Sequence, residues 1–494
     1  MATADQLNEQ AIAQAQQGQM VVAIAQWHQA LQQNPRHLSS WQNLAIAQYK
    51  LRDFPKAIQA NRQALELTDD PEVQANLLLN LGAALTKNKD LDGAITSYQK
   101  ALHLKPNWFP AQRNLGNALT GTGEVLTAEV LLRRVLDQAP NDAENHHALG
   151  NVLWAQARYE DALVCYQQAI TLKPDFAEAH CNRALIKMLR GDWLGGGADY
   201  EWRLRCPEMV RVLPSLPFNL WQGEPLFGKT ILLYGDLGLG DCLQFMRYVP
   251  LLEQQGARVI LQLPKSLLAI AQTLPGTAQV ISKQDTLPLP TGPAIDYWCP
   301  LFRMVYQFRT TPITIPATIP YLQAPGDRPP LPPPIKSNGS NAPLKLGIVW
   351  TSGVFSDTYR QRSTQLHQWQ PVAELPNVQL YSLQKERSPE DQTQLNQWQI
   401  IDLADFLTNF AVTAHFINQL DAVVTVDTAV AHLAGALGKL VYVLLPHVPD
   451  WRWQLSGSTT PWYPTMMLVR QPALNHWEPA IAQLAQLVQE MGDR

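Results

Sequence analysis

The sequence predicts an α-helical solenoid followed by a pair of doubly wound α/β domains. Three observations carry this expectation. Small residues and prolines recur at a fixed interval through residues 1–205. Beyond them, short β-branched runs alternate with helical patterns, the signature of parallel sheets covered by helices. Between two such sets lies "YLQAPGDRPPLPPPIKSNGSNAPLK", whose proline, glycine, serine and asparagine content is that of a linker, stiff at first and then loose.

The repeat is read by aligning "LLNLGAALTKNKDLDGAITSYQKALHLKP", "QRNLGNALTGTGEVLTAEVLLRRVLDQAP" and "HHALGNVLWAQARYEDALVCYQQAITLKP". Gly82, Gly116 and Gly150 stand 34 residues apart, as do Ala94, Ala128 and Ala162, and Pro106, Pro140 and Pro174. Each glycine lets the two helices of a unit approach closely, each alanine does so in the second helix, and each proline stops that helix. Upstream, "AIAQAQQGQMVVAIAQWHQALQQNP" and "SSWQNLAIAQYKLRDFPKAIQANRQALEL" fit the same pattern. Downstream, "AEAHCNRALIKMLRGDWLGGGADYEWRLR" is a degenerate sixth unit with Gly196 at the alanine position, as expected of a capping repeat. Period and pattern closely resemble the tetratricopeptide repeat. The resemblance implies a superhelix with a concave groove. In it Asn80, Asn114, Asn117, Asn151 and Asn182 are candidates to hold an extended peptide or protein partner. Capping or hydrogen bonding within the array is the alternative for each.

Composition narrows the classes. A chain of 494 residues is long enough for two to four domains, and a net charge of −4 supplies no basic field for nucleic acid. No apolar run approaches the ~18 residues of a membrane span. The start, "MATADQLNEQ", lacks the basic and apolar regions of a secretory signal. Cys165, Cys181, Cys206, Cys242 and Cys299 are scattered without a C-x-x-C pair, so a cytoplasmic protein without a disulfide framework or zinc site is expected.

In the second half "TILLYGD", "ARVILQLP" and "AQVIS" read as strands, with "CLQFMRYVPLLEQQG" and "KSLLAIAQTL" as the helices between them. After the linker come "LKLGIVW", "VQLYSLQ", "DAVVTV" and "KLVYVLLP", with helices in "FLTNFAVTAHFINQL", in 428–437 and in "WEPAIAQLAQLVQEM". The expected boundaries are 1–205 for the repeats, 206–320 for the first α/β half, 321–345 for the linker and 346–494 for the second half. Two such halves leave a cleft at the carboxyl ends of their strands. That is also the architecture of the two-domain, GT-B type glycosyltransferases.

Three motifs face that cleft. In "VVTVDTAVAHLAGALGKLVYVLLP", Asp427 ends a strand, Thr428 suits the N-cap of a short helix, and Gly438 suits its C′ position. The free N–H groups of the first turn make an anion site, and Ala429, Ala431 and Ala434 are small enough for a ligand to come close. On spacing alone, a plain capped helix with a satisfied His432 is as good a reading. In "YGDLGLGDCLQF", Gly238 and Gly240 permit a sharp turn into a helix. The third glycine of a dinucleotide fingerprint is replaced by Leu243, which argues against redox dinucleotides. G-x-x-x-x-G-K-T occurs once, at Gly223–Thr230, but it runs into the strand "TILLYGD" instead of leading from a strand into a helix, which argues against P-loop chemistry. In "GIVWTSGVFSDTYRQRSTQL", Arg360 and Arg362 offer guanidinium forks suited to a diphosphate. The one D-x-D, Asp90 and Asp92, and the adjacent His146 and His147 fall in the repeats, and no histidines cluster at ligand spacing in the α/β half, so no metal site is expected.

"DTAVAHLAGALGK" closely resembles the carboxyl-half motif of the ADP-heptose–lipopolysaccharide heptosyltransferase family. "LLPHVPDWRWQ" and "PWYPTMMLVRQ" resemble a bacterial subgroup in which tetratricopeptide repeats precede such a domain. The resemblance implies that Asp427, Thr428, Ala429 and His432 bind a nucleotide-diphosphate sugar donor. It makes Asp241 a general base on the acceptor side, in the turn with Gly238 and Gly240, although aspartate at a helix start is also a routine cap. It places Gln384 and Lys385 of "SLQKE" against the base or phosphates; for Lys385 a solvated charge is the equal alternative. The chain departs from the family at "TSG" and "SDTYRQRS", where related sequences carry an Ala-Gly-Asn turn and an Asn-rich basic loop.

Together these readings describe a repeat-fused, metal-independent, inverting glycosyltransferase. It would use no cofactor beyond its nucleotide-sugar substrate, and its repeats would recruit the acceptor, as O-linked N-acetylglucosamine transferases suggest. A scaffold whose α/β half binds a nucleotide or sugar without turnover, or is only structural, is the alternative.

Overall fold

The computed structural model describes residues 2–285, 294–326, 330–335, 342–352 and 362–492. Its contacts divide into two units, Met1–Ala179 and His180–Arg494.

The first unit is a succession of antiparallel helix pairs: α1 (Ala4–Gln16) with α2 (Met20–Gln33), α3 (Leu38–Lys50) with α4 (Phe54–Leu65), α5 (Pro71–Lys87) with α6 (Leu91–Leu104), α7 (Phe109–Thr122) with α8 (Val125–Gln138), and α9 (Ala143–Ala155) with α10 (Tyr159–Leu172). Aspartates start several of them. Asp53, Asp70, Asp90 and Asp142 each accept backbone N–H groups of the first turn, satisfying donors that a helix start leaves open. The periodic small residues have the expected job. A Cβ at Gly82 would stand 2.5 Å from the Tyr98 ring, one at Gly116 2.8 Å from Leu132, and one at Gly150 2.6 Å from the Tyr166 ring. Ala94, Ala128 and Ala162 are wholly buried. Pro106, Pro140 and Pro174 follow directly on the C-caps of α6, α8 and α10. The prolines also serve the next unit: Gln112 and His146 bond the carbonyls of Pro106 and Pro140 at 2.9 and 2.8 Å.

The unit boundary falls inside α11 (Ala177–Leu189), and α12 (Trp193–Tyr200) belongs to the second unit. The physical reason is aromatic. Trp193 stacks on Trp462 at 5.3 Å and meets Trp451 edge-on, so α12 is held by residues near the end of the chain.

Two wholly parallel sheets follow. The first contains β1 (Asn219–Leu220), β2 (Thr230–Tyr234), β3 (Arg258–Leu263), β4 (Thr277–Ser282) and β5 (Tyr297–Pro300), in the order β1-β5-β2-β3-β4. The second contains β6 (Leu344–Val349), β7 (Val378–Ser382), β8 (Ile401–Asp402), β9 (Ala422–Val426), β10 (Leu440–Leu445) and β11 (Met466–Arg470), in the order β11-β10-β9-β6-β7-β8. Strands covered on both faces read as continuous apolar runs, and β7, β9 and most of β10 are buried throughout. In the second sheet, strand order reverses between β6 and β9. Such a switch point opens a crevice beyond the strand ends.

Several elements differ from expectation. The helix expected in "CLQFMRYVPLLEQQG" begins earlier, at Leu239, and breaks into Leu239–Phe245, a 3₁₀ turn at Met246–Tyr248 and Val249–Gln254, with Pro250 at the start of the last piece. "KSLLAIAQTL" forms only a 3₁₀ turn and the four-residue helix Leu268–Ala271. Strands β1, β5, β8 and β11 lie outside the strands read from sequence; β1 and β8 are two residues each, too short for any periodicity.

Candidate functional site

A cavity of about 530 Å³ lies in the second unit, where the carboxyl ends of β2, β6, β7 and β9 converge. It gathers Gly238, Gly240, Asp241, Arg362, Gln384, Lys385, Asp427, Thr428, Ala429 and His432, every site residue expected of the α/β half except Arg360. Arg360 falls outside the described residues.

The helix Ala429–Ala436 starts at the cavity, its first-turn N–H groups following the extended backbone of Thr428. Thr428 occupies the N-cap position, but its side chain does not cap. Its hydroxyl pairs with that of Thr425 at 3.0 Å, so the helix start keeps its donors. Leu437 is the C-cap and Gly438, at φ +75°, takes the left-handed C′ place. Opposite, Asp241 sits in the first turn of Leu239–Phe245 and accepts the Gly238 N–H at 3.1 Å through Oδ2. The capping role weighed from sequence is therefore realised, and Oδ1 is left for a second partner.

That partner is Arg452, which sequence reasoning missed. Its Nη2 donates to Asp241 Oδ1 at 2.5 Å, while its Nε lies 3.2 Å from Asp450 Oδ1. Its side chain is only 7% exposed, yet it lines the cavity. Burial opposes its charge, but Asp450, Asp241 and Asp427 outweigh burial and drive its pKa above the ordinary arginine value. Arg452 stands in the 3₁₀ turn Trp451–Trp453, where Asp450 caps the backbone. No spacing in "DWRWQ" announces a cleft residue.

A second ion pair, Arg362 Nη1 to Asp427 Oδ2 at 3.0 Å, stands on the other side. Asp427 is 3% exposed, so the pair supplies the charge its burial requires. His432 lies between the two pairs. It is 1% exposed, stacks on Trp453 and reaches Tyr463 Oη through Nδ1 at 3.1 Å. Its Nε2 faces Arg452 Nη1 at 3.5 Å, and because a guanidinium only donates, Nε2 bears the lone pair and the proton sits on Nδ1. Burial, then the charges of Arg452, Arg247 and Arg362, hold its pKa well below the usual value, so His432 is neutral. Gln384 is buried and accepts the Thr351 N–H at 3.2 Å, which shapes the turn after β6. Lys385 is exposed and donates to the Ala404 carbonyl at 2.8 Å. Among the described residues no group of three or more His, Cys, Asp or Glu side chains could hold a metal ion, and no helix is long and apolar enough to cross a membrane.

Tetratricopeptide-repeat family profiles match residues 8–72, 75–107 and 155–191. The N-terminal helices are tetratricopeptide repeats. Solved structures resemble the array as well. YrrB, described as a tetratricopeptide-repeat protein with an unusual peptide-binding site, is 21% identical, covering 36% of this chain and 90% of its own at a TM-score of 0.31. PilW, described as a type IV pilus biogenesis factor, is 19% identical, covering 42% and 94% at 0.34. Over a longer span the chain is 23% identical to Protein FlbA of Caulobacter vibrioides along 385 residues, 64% of this chain. The chain spans 62% of FlbA's length.

Tetratricopeptide arrays are protein-interaction scaffolds, with extended surfaces generated by repetition. Within this one, Asn80 and Asn117 are exposed and Asn114 is half-buried. Asn151 accepts a hydrogen bond from the Tyr166 hydroxyl at 2.9 Å, a contact inside its own repeat. Asn182 is half-buried on α11, in the second unit.

Proposed function

We propose that the second unit is a glycosyltransferase of GT-B type, that its donor is a nucleotide-diphosphate sugar, and that the tetratricopeptide repeats recruit the acceptor, a protein or peptide. The observation that carries this reading is the convergence of a carboxylate, two guanidinium groups and an uncapped helix start on one cavity at the strand ends.

The division of labour follows from charge. The first-turn N–H groups of Ala429–Ala436, with Arg362, suit the diphosphate. Thr428, Ala429, Gln384 and Lys385 line the remainder, where sugar and base would lie. Asp241 faces them from the other half and would take the proton of the acceptor hydroxyl. As that oxygen bonds to the anomeric carbon, the bond to the diphosphate breaks and its electron pair leaves with the nucleotide, inverting the centre. The guanidinium groups and helix dipole then balance the charge of the leaving group without a divalent cation.

A second reading, a repeat scaffold whose α/β unit binds a nucleotide without turnover, is favoured by one observation: both carboxylate oxygens of Asp241 already have partners. The test is thermal stability of the full chain against UDP, ADP, GDP, CMP and their sugar conjugates. A ligand at 100 times its Kd stabilises by about 2.7 kcal/mol. A shift with one nucleotide, abolished by Asp427→Ala, supports a nucleotide site, and sugar transfer lost in Asp241→Asn supports catalysis. No shift with any of them, in a cooperatively unfolding protein, would leave only the scaffold.

A further inference from the structure

Among the cations lining the cavity, Arg452 differs from the others in one respect: its ion pair joins the two α/β halves. Arg362 pairs with Asp427 of its own half. Lys385 is turned to the Ala404 carbonyl. Arg452, carried by the second half, pairs with Asp241 of the first, the residue assigned as base. Its guanidinium has two carboxylate neighbours. Asp450, two residues earlier, sits beside Nε at 3.2 Å, whereas Asp241 engages only the Nη2 end. Nε makes no hydrogen bond among the described residues, so the guanidinium can turn away from Asp241 while Asp450 beside it keeps the charge compensated. On the other face, the neutral Nε2 of His432 offers the Nη1 group an acceptor without adding charge.

We infer that Arg452 is a donor-diphosphate ligand whose capture by the diphosphate releases Asp241, so that donor binding unmasks the base. This rests on the glycosyltransferase reading and adds an order to it. An incoming diphosphate meets two carboxylates, Asp241 and Asp427, beside two guanidinium groups. The diphosphate competes with Asp241 for the Arg452 guanidinium, and a bidentate grip through Nη1 and Nη2 takes Nη2 from Asp241. Asp241 Oδ1, no longer held by the guanidinium, is then open to turn to the acceptor hydroxyl and take its proton. Once the acceptor oxygen has bonded to the anomeric carbon, the diphosphate departs with the electron pair of the broken bond, the proton passes to solvent, and Arg452 returns to Asp241. The donor therefore binds before the acceptor is activated, and the resting cavity holds its base paired.

The experiment is calorimetric titration of the full chain with UDP, ADP, GDP and CDP. For the nucleotide that binds wild type, Asp241→Asn is expected to raise affinity at least tenfold, since the guanidinium no longer has a carboxylate to leave. Arg452→Gln lowers affinity at least tenfold, and in the Arg452→Gln background Asp241→Asn changes affinity less than threefold. Should Arg452→Gln not fold, Arg452→Lys, which keeps a charge beside Asp450, takes its place with the same two outcomes. A gain that persists undiminished in the double variant is simple relief of repulsion by Asp241 and overturns the inference while the donor site stands. An Asp241→Asn affinity equal to or weaker than wild type does the same. Wild-type protein that binds none of the four nucleotides removes the donor site and the inference together.

Discussion

Gly240 lies against His432 with no room for a side chain: a Cβ at position 240 would stand 2.8 Å from His432 Cδ2 and 3.4 Å from Ala429 Cα. The contact lets the helix of the first half meet the helix of the second at the cavity. His432 cannot yield, because it is buried between Trp453 and Tyr463. Gly240→Ala is therefore expected to destabilise the second unit by about 1–3 kcal/mol, the cost of overpacking a filled interior. Thermal unfolding followed by tryptophan fluorescence checks this, and an unchanged midpoint would mean the helices part freely.

Arg362→Ala leaves Asp427, 3% exposed, without its guanidinium. A fully buried ion pair broken on one side costs about 3–5 kcal/mol. The Arg362 side chain is 20% exposed, so about 2 kcal/mol is expected here. Asp427→Asn in the same background should recover most of that loss, because a neutral amide needs no cation. Chemical denaturation of the three variants gives the comparison; failure of the double variant to recover would show that Arg362 packs rather than pairs.

His432 contributes to the acid limb of stability, as does His147 in the repeats, whose pKa burial and Arg113 lower to about 4. Its folded pKa lies well below the unfolded value of ~6.5, so between the two the unfolded chain binds a proton that the folded chain refuses. Stability contributed by neutral His432 is complete above the unfolded pKa and falls as pH drops below it, by up to about 1.4 kcal/mol per pH unit. Arg452, Arg362 and Arg247 all repel that proton, while Asp427, 4.0 Å from Nε2, is the acid that would welcome it. Denaturation from pH 7.5 to 5 should show a shallower slope for His432→Gln than for wild type. Equal slopes would place the acid sensitivity elsewhere.

The legible parts of this molecule are those whose cause is local. Gly82 and Gly150 each precede by sixteen positions the tyrosine that fills their missing Cβ, Tyr98 and Tyr166, so a fixed period in sequence becomes a fixed contact. The strand ends at Asp427 and Gln384 were legible for a similar reason, since buried parallel strands are apolar runs and the polar residues that follow them face the crevice. Arg452 was not legible. It reaches the cavity because the turn after β10 is anchored by Trp451 against Phe302 of the first half and by Trp453 against His432 of its own half, packing that no local pattern encodes. Thr428 shows the limit of local rules in another way: its place was read correctly, but Thr425 on the preceding strand claims its hydroxyl.

Arg247 links stability to the electrostatics of the cavity. It is 3% exposed and has no carboxylate partner among the described residues. Its guanidinium donates to the carbonyls of Gln244 and Trp462 at 3.0 and 2.7 Å and lies 4.5 Å from the Tyr463 ring centroid. Gln244 belongs to the first half and Trp462 to the second, so one side chain ties both. Arg247→Met keeps the volume but strands two buried carbonyls, each worth about 1–3 kcal/mol when left unbonded. The same change removes one of the three cations that depress His432. The folded pKa of His432 should then rise toward ~6.5 and shorten the pH interval over which stability is lost. Arg247→Met is thus expected to be less stable than wild type at pH 7.5 and to lose less of its remaining stability on acidification. A parallel loss at every pH would show that Arg247 acts through packing alone, with its charge screened from His432.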